Sequence, residues 1–147
     1  MPVGFASNGD RQHIYRPDSS PEQRGRLMET LSEVRAHGQQ HLQSFIHDVG
    51  NHLNQHNALT VVTSSVEAQW VASLADLRRK GVEVAGVLVD RSSFGSETDM
   101  RLPLEALSAN LIPVYMVCQG DVLNEALQSP VREVLPSWTF NLNRKSE

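Results

Sequence analysis

Apolar and polar residues alternate along the second half of the chain in blocks that predict strands and helices in turn. Residues 59–63 form an apolar strand, and 82–90 form a near-continuous apolar run, typical of parallel strands buried on both faces. Between them the spacing predicts a helix over 65–80, ended by Gly81. Its inward-facing residues are Trp70, Val71, Leu74 and Leu77.

The same alternation continues further along the chain. A polar loop over 91–101 is followed by a helix over 103–110, a strand over 114–118 and a short helix over 120–128. Repeated strand–helix units predict right-handed βαβ crossovers and a parallel sheet, so the predicted fold class is α/β.

The N-terminal segment has a different pattern, which predicts a β-hairpin over 3–16. Asn8-Gly9 is the turn signal, since both central residues of a type I′ turn need a positive φ. We expect this hairpin to add one antiparallel edge strand to the sheet.

Two amphipathic helices are predicted between the hairpin and the first parallel strand. Ser20 and Gln23 have the capping-box spacing, Pro21 takes the first helical position, and Gly38 is expected to end this helix. The second helix covers 40–55. Its apolar face consists of Leu42, Phe45, Ile46, Val49 and Leu53.

Composition narrows the class of protein. The 147 residues suit one domain, and 13 basic against 17 acidic residues give a net charge of −4, which does not favour nucleic-acid binding. Cys118 is the single cysteine, which excludes an internal disulfide and fits a reducing compartment. The apolar runs are shorter than the roughly 20 residues of a membrane-spanning helix. We expect a cytoplasmic soluble domain and, without a glycine-rich phosphate loop, no cofactor.

Five phrases of the sequence, taken in order, point to a known family. They are VGFASNG, LTVVTSS, LRRKGVEVAGVLVD, ANLIPVYMVCQGD and LNEAL. Together with the helix pair over 20–55, they resemble the C-terminal part of a bacterial von Willebrand factor A-like family, labelled domain of unknown function 58. The resemblance extends over residues 2–128.

This resemblance implies a three-layer, Rossmann-like, mainly parallel sheet that lacks its first central strand. It implies a truncated von Willebrand A-like domain over 1–130. The pattern of strands and helices is lost beyond Pro130, so the C-terminal tail over 131–147 is expected to be partly disordered. Family members often carry membrane-spanning helices ahead of this domain, so a membrane-tethered parent protein stays open. They are often encoded beside MoxR-type AAA+ ATPases, which makes such an ATPase the implied partner in protein assembly.

The chain departs from the family pattern where the family binds a divalent cation. Complete domains use Asp-x-Ser-x-Ser, and the one Asp followed directly by two serines here is Asp18, in a turn that begins a helix. The downstream Asp usually lies in Thr-Asp-Gly, and the matching phrase is Thr63-Ser64-Ser65. Hard cations need several oxygen ligands, mostly carboxylates, so we predict no metal at this site.

The missing strand would leave two strand edges open, and exposed edges pair readily with other chains. Three outcomes follow: the hairpin closes on the strand over 59–63, two chains pair across the gap, or the chain is a fragment of a longer protein. A two-fold homodimer through the open edges is the preferred outcome.

Polar residues cluster where the predicted strands end, which is where ligands bind in open α/β sheets. Ser64 and Glu67 have a second capping-box spacing, so Ser64 either caps the helix that follows or marks an anion site at its N-terminus. Asp121 is expected to cap the last helix. The predicted binding face consists of Thr63, Ser64, Ser65, Asp90, Ser92, Ser93, Gly120 and Asp121.

The histidines and the cysteine are weaker candidates. His37/His41 and His52/His56 have the i, i+4 spacing of zinc ligands on a helix, but no recognisable carboxylate or cysteine pattern accompanies them. We interpret them as solvated. Cys118 ends an apolar strand and is interpreted as a buried strand cysteine.

These observations predict a non-enzymatic protein-interaction or scaffolding domain that acts through the carboxyl rim of the sheet. No catalytic residue is predicted. The alternative is a small hydrolase or transferase that uses rim residues with one of the histidines. A histidine within hydrogen-bond reach of Ser64 or Asp90 would favour that alternative.

Overall fold

The computed structural model describes residues 1–9, 12–35 and 40–131. The chain divides into two compact units, Met1–His52 and Leu53–Glu147, where the sequence analysis placed one domain over 1–130. The expected tail over 131–147 lies outside the described residues, apart from its first residue. None of the helices within the described ranges is long and apolar enough to cross a membrane.

The first unit begins with the predicted hairpin. β1 (Val3–Asn8) pairs antiparallel with β2 (Gln12–Asp18), and the two strands form a sheet of their own. The expectation that the hairpin adds an edge strand to the parallel sheet is therefore wrong. The register shifts between Val3 and Phe5, where one residue of β1 faces two residues of β2. Pro17 lies in this bulge, where a strand tolerates the missing N–H.

The turn of the hairpin differs from the prediction. Asn8 lies opposite Gln12, so the loop is longer than the two residues of a type I′ turn. The Asn8 side-chain amide donates to the Gln40 carbonyl oxygen, 2.6 Å away. A Cβ at Gly9 would lie 2.6 Å from the Arg35 carbonyl oxygen. These two residues are thus placed by contacts distant in sequence, which a local turn motif does not encode.

Helix α1 (Pro21–Glu33) begins at the predicted proline, but the capping box does not form. The Ser20 hydroxyl donates to Asp18 Oδ2 at 2.8 Å instead of accepting from the helix backbone. Gln23 is buried, and its amide donates to two carbonyl oxygens of the hairpin at 3.1 and 3.4 Å. The hairpin therefore takes up both side chains that the capping box needs.

Both helices of this unit are shorter than predicted. α1 ends at Glu33 because Val34 has an extended backbone, and the expected end at Gly38 lies outside the described residues. α2 (Leu42–Gly50) ends short of residue 55, and the asparagines that follow form turns with the backbone. The buried residues of α2 are Phe45 and Ile46.

The second unit is built on a three-stranded parallel sheet. β3 (Ala58–Thr63), β4 (Glu83–Val89) and β5 (Val114–Val117) lie in that order, joined by α3 (Gln69–Arg79) and α4 (Arg101–Ala109). Both connections step the same way across the sheet, and such crossovers are right-handed, so the two helices lie on one face. The α/β class and the parallel sheet are confirmed, whereas the three-layer von Willebrand A-type arrangement stays a prediction.

The core of this unit lies between the sheet and its two helices. The predicted inward-facing residues of α3 are all buried, which confirms that prediction. They are Trp70, Val71, Leu74 and Leu77, at 1%, 1%, 0% and 5% exposure. Gly86 in β4 lets α4 approach closely, because a Cβ there would lie 2.9 Å from Leu107 Cδ1. Each large side chain buried in this layer contributes about 1.5–3 kcal/mol.

Helices α3 and α4 end in the same motif with different residues. Gly81 follows α3 with φ +91°, as predicted, and Leu111 follows α4 with φ 56°. In both, the next residue's N–H donates to the carbonyl oxygen five residues earlier, at 3.1 and 3.0 Å. Only glycine adopts this left-handed conformation without strain, so Leu111 stores strain that Gly81 avoids.

We expect Leu111→Gly to raise the free energy of unfolding by about 0.5–1 kcal/mol, measured by urea denaturation. Little burial is lost, since Leu111 is 74% exposed. Leu102→Gly is the matched control, because Leu102 is 63% exposed in the first turn of α4, and there glycine should lower stability, by at most about 1 kcal/mol. An unchanged or lower stability of Leu111→Gly would contradict the strain assigned to that residue.

The carboxylate of Asp18 accepts two hydrogen bonds from Ser20. Hydrogen bonds from the Ser20 hydroxyl and, next, the Ser20 backbone N–H hold the pKa of the Asp18 carboxyl below its usual value. Because the folded-state pKa lies below the unfolded one, this stabilisation is present above the unfolded pKa and lost as pH falls through the folded pKa. Ser20→Ala should raise the pKa of Asp18 in an NMR titration. Ser19→Ala, which leaves both Ser20 bonds intact, should not.

Candidate functional site

Asp90 is the centre of the carboxyl rim of the sheet. It follows β4 directly and is 6% exposed. Its Oδ1 accepts from the Ser92 backbone N–H at 3.0 Å and from the Ser92 hydroxyl at 2.6 Å, which caps a 3-10 helix over Arg91–Phe94. The Ser93 hydroxyl donates to the Asp90 carbonyl oxygen at 2.6 Å. The segment predicted as a loop thus folds back onto Asp90.

Hydrogen bonds join the ends of β4 and β5 at this rim. The Asp90 N–H donates to the Val117 carbonyl oxygen at 2.8 Å, and the Cys118 thiol donates to Asp90 Oδ2 at 3.7 Å. The Gln119 N–H donates to Ser93 Oγ at 2.8 Å. This hydrogen bond therefore holds the 3-10 helix against the turn after β5.

Asp121 and Cys118 differ from their predictions. Asp121 Oδ2 accepts from the Cys118 N–H at 2.8 Å, so it closes the turn after β5 instead of capping the last helix, α5 (Leu123–Ala126). Gly120, at φ +85°, allows that turn. Cys118 lies beyond the end of β5 and is half-buried, so its interpretation as a buried strand cysteine is wrong.

The polar residues after β3 form local turns. Thr63 Oγ1 accepts from the Ser65 N–H at 3.1 Å, and Ser65 Oγ accepts from the Glu67 N–H at 3.3 Å. These side-chain turns compete with helix formation, and α3 begins only at Gln69. The prediction that Ser64 caps this helix is wrong, and the alternative anion site loses the helix N-terminus that it requires.

The eight predicted binding residues therefore fall into two groups along one edge of the sheet. Hydrogen bonds connect the residues at the ends of β4 and β5. The bonds of Thr63 and Ser65 stay within their own turn, and Ser64 is exposed. We call the residues at the ends of β4 and β5, which hydrogen bonds connect, the interlocked half of the rim.

Four of the histidines that form the i, i+4 pairs or lie between them are exposed, as the solvated interpretation expects. They are His41, His47, His52 and His56. His37 lies outside the described residues, and His13 stacks on Tyr15 in β2, with ring centroids 6.4 Å apart. Within the described part of the chain, no group of three or more His, Cys, Asp or Glu side chains is arranged to hold a metal ion.

Exposed apolar side chains lie on the two segments that contain or follow the interlocked residues along the chain, and the sequence analysis missed them. Phe94 ends the 3-10 helix and is 57% exposed. Val122 and Leu123, both 60% exposed, and Leu127, 44% exposed, lie in and around α5. We call these four residues the rim patch. The available sequence signal was a phenylalanine within an otherwise polar segment.

Comparisons with known proteins identify no relative. The chain matches no family model, and no curated protein or solved structure shows significant similarity to it. The class shown is therefore an α/β protein with a three-stranded parallel sheet, flanking helices and a separate antiparallel hairpin. The resemblance to the von Willebrand factor A-like family stays a prediction.

Asp90→Ala tests the interlocked rim. Loss of the cap and of the Cys118 contact should lower the free energy of unfolding by about 2 kcal/mol in urea denaturation. Asp76→Ala is the control, because Asp76 is 60% exposed and pairs with Arg79 on the surface of α3. That variant should change stability by less than about 0.5 kcal/mol. Equal effects of the two substitutions would show that Asp90 does not organise the rim.

Proposed function

We propose that this chain is a non-enzymatic protein-interaction domain that binds its partner through the carboxyl rim of the parallel sheet. The observation that carries the proposal is the rim patch: Phe94, Val122, Leu123 and Leu127 expose apolar side chains on segments that adjoin the Asp90 network. Apolar surface bordered by polar groups is the composition of a protein-binding surface.

Hydrogen bonds also hold the segments that carry the rim patch in place before any partner binds. The bond between the Gln119 N–H and Ser93 Oγ ties the 3-10 helix, which carries Phe94, to the turn that leads into α5. The carboxylate of Asp90 holds the same helix from its first turn. A surface ordered in advance loses less conformational entropy on binding, which favours affinity.

Exposed polar groups at the same carboxyl rim provide directional contacts. Ser64 is exposed at the end of β3, and Asp121 is exposed at the end of β5. An interface of this kind combines a central apolar contact with peripheral hydrogen bonds, and the latter set orientation more than affinity.

The proposed partner is a MoxR-type AAA+ ATPase, with a scaffolding role in the assembly of other proteins. This part of the proposal rests on the resemblance carried by phrases such as LTVVTSS and LRRKGVEVAGVLVD. We assign the carboxyl rim to this partner because ligands of open α/β sheets bind beyond the carboxyl ends of the strands.

The test is a titration of the chain against an immobilised MoxR-type AAA+ ATPase from the same organism. The double variant Phe94→Ser/Leu123→Ser should bind at least about tenfold more weakly, since buried apolar anchors at interfaces contribute more than about 1 kcal/mol each. The weaker binding would result from the loss of apolar contact area between the variant and the ATPase. Circular dichroism should show an unchanged fold, because both side chains are exposed.

Met28→Ser/Leu31→Ser is the matched control. Its side chains are 61% and 51% exposed, but they lie on α1 in the first unit. This variant should bind like the natural chain. Equal binding by the rim variant would reject the rim patch as the interface, and lack of binding by the natural chain would reject the ATPase as partner.

A further inference from the structure

Among the described residues, no strand pairs with the outer edge of β3. The Glu83 N–H donates to the Asn57 carbonyl oxygen at 3.3 Å, so odd-numbered residues along β3 direct their backbone groups toward β4. Successive residues of a strand point to opposite sides, so Ala58, Thr60 and Val62 direct their N–H and C=O groups away from the sheet. Within the described part of the chain, β3 pairs with β4 alone.

The opposite edge of the sheet is different. The Val131 N–H donates to the Val114 carbonyl oxygen of β5 at 2.7 Å, so the chain itself reaches that edge. The β3 edge is therefore the one that offers a run of backbone donors and acceptors to another strand.

The sequence of β3 carries none of the features that protect natural sheet edges. Edges are usually blunted by charged residues, by proline or by a bulge. Ala58–Thr63 reads ALTVVT, and no Asp, Glu, Lys or Arg occurs from Val49 to Val66. Val62 is 67% exposed on this strand. Such a strand is well suited to pairing with a further strand.

We infer that β3 pairs antiparallel with β3 of a second copy of this chain, about a two-fold axis at Thr60. The two three-stranded sheets would then join into one continuous sheet. A two-fold axis perpendicular to the sheet places α3 and α4 of both copies on the same face, and opposed residues then share a face.

The register follows from the outward-facing residues. With Thr60 opposite its own counterpart, Ala58 lies opposite Val62 of the second copy, and all outward-facing residues form hydrogen-bonded pairs. Each such pair exchanges two bonds, about six in all. The flanking Asn57 falls opposite Thr63, so no like charges meet across the axis. This matters because each copy has a net charge of −4 and two copies otherwise repel.

Thr60→Pro tests the edge directly. Proline removes an N–H that faces away from β4, a place where sheets accept it. By sedimentation equilibrium at micromolar concentrations, the natural chain and Thr60→Ala should be dimers, and Thr60→Pro a folded monomer. Val61→Pro, which removes an N–H that faces β4, should unfold the second unit. A monomeric natural chain, or a dimeric Thr60→Pro, would overturn the inference.

Cross-linking tests the register. In a Cys118→Ser background, Thr60→Cys should form an intermolecular disulfide when diamide oxidises the two thiols, since paired Cα atoms lie about 5.5 Å apart. Val62→Cys, also exposed on the same strand, should not, because its two copies lie about four residues apart along the strands, roughly 13 Å. Cross-linking of Val62→Cys in preference to Thr60→Cys would overturn this register. Binding to the ATPase should survive Thr60→Pro, so the two proposals fail separately.

Discussion

The contact of Leu107 with Gly86 is the constraint on which the second unit depends. Gly86 presents bare backbone at the centre of β4, and Leu107, fully buried, fills the space that a Cβ would take. α4 can therefore lie close to the sheet, beside α3. This spacing holds β5 against β4, and the bonds at the rim form only when the ends of these two strands lie side by side. Core packing thus determines the geometry of the candidate site.

Periodicity predicted the second unit well because buried positions recur there at regular intervals. The spacing of Trp70, Leu74 and Leu77 admits one helix orientation, and the apolar runs of β3 and β4 suit strands packed under helices. The end of α3 at Gly81 was equally predictable, because a left-handed φ strongly favours glycine. Leu111 adopts the same conformation without being a glycine, yet the predicted helix end at residue 110 lies within one residue of the observed end at Ala109.

The local capping motifs failed for a common physical reason. Ser20, Ser64 and Asp121 each have suitable spacing, but a short polar side chain can bond another group close by in the sequence instead of the first turn of the helix. For Ser20 that group is Asp18, and for Asp121 it is the Cys118 N–H. Whether the side chains of the rim patch are exposed depends on which other residues pack against them. A local sequence pattern does not contain that information. The predicted rim therefore did not include the exposed apolar residues, and its role as a binding face stays a prediction.

The direction of α3 separates charge along the second unit. The helix runs opposite to the strands, so Arg78, Arg79 and Lys80 stand exposed at the amino end of the sheet. Among the described residues at the other end, the exposed acidic side chains of Glu97, Asp99, Asp121 and Glu125 outnumber the exposed Arg91 and Arg101. This charge distribution orients the protein in the electric field of an approaching charged molecule, so that the acidic end of the protein meets a cationic surface first. This orientation acts over about 8 Å at physiological ionic strength and shortens as salt is added.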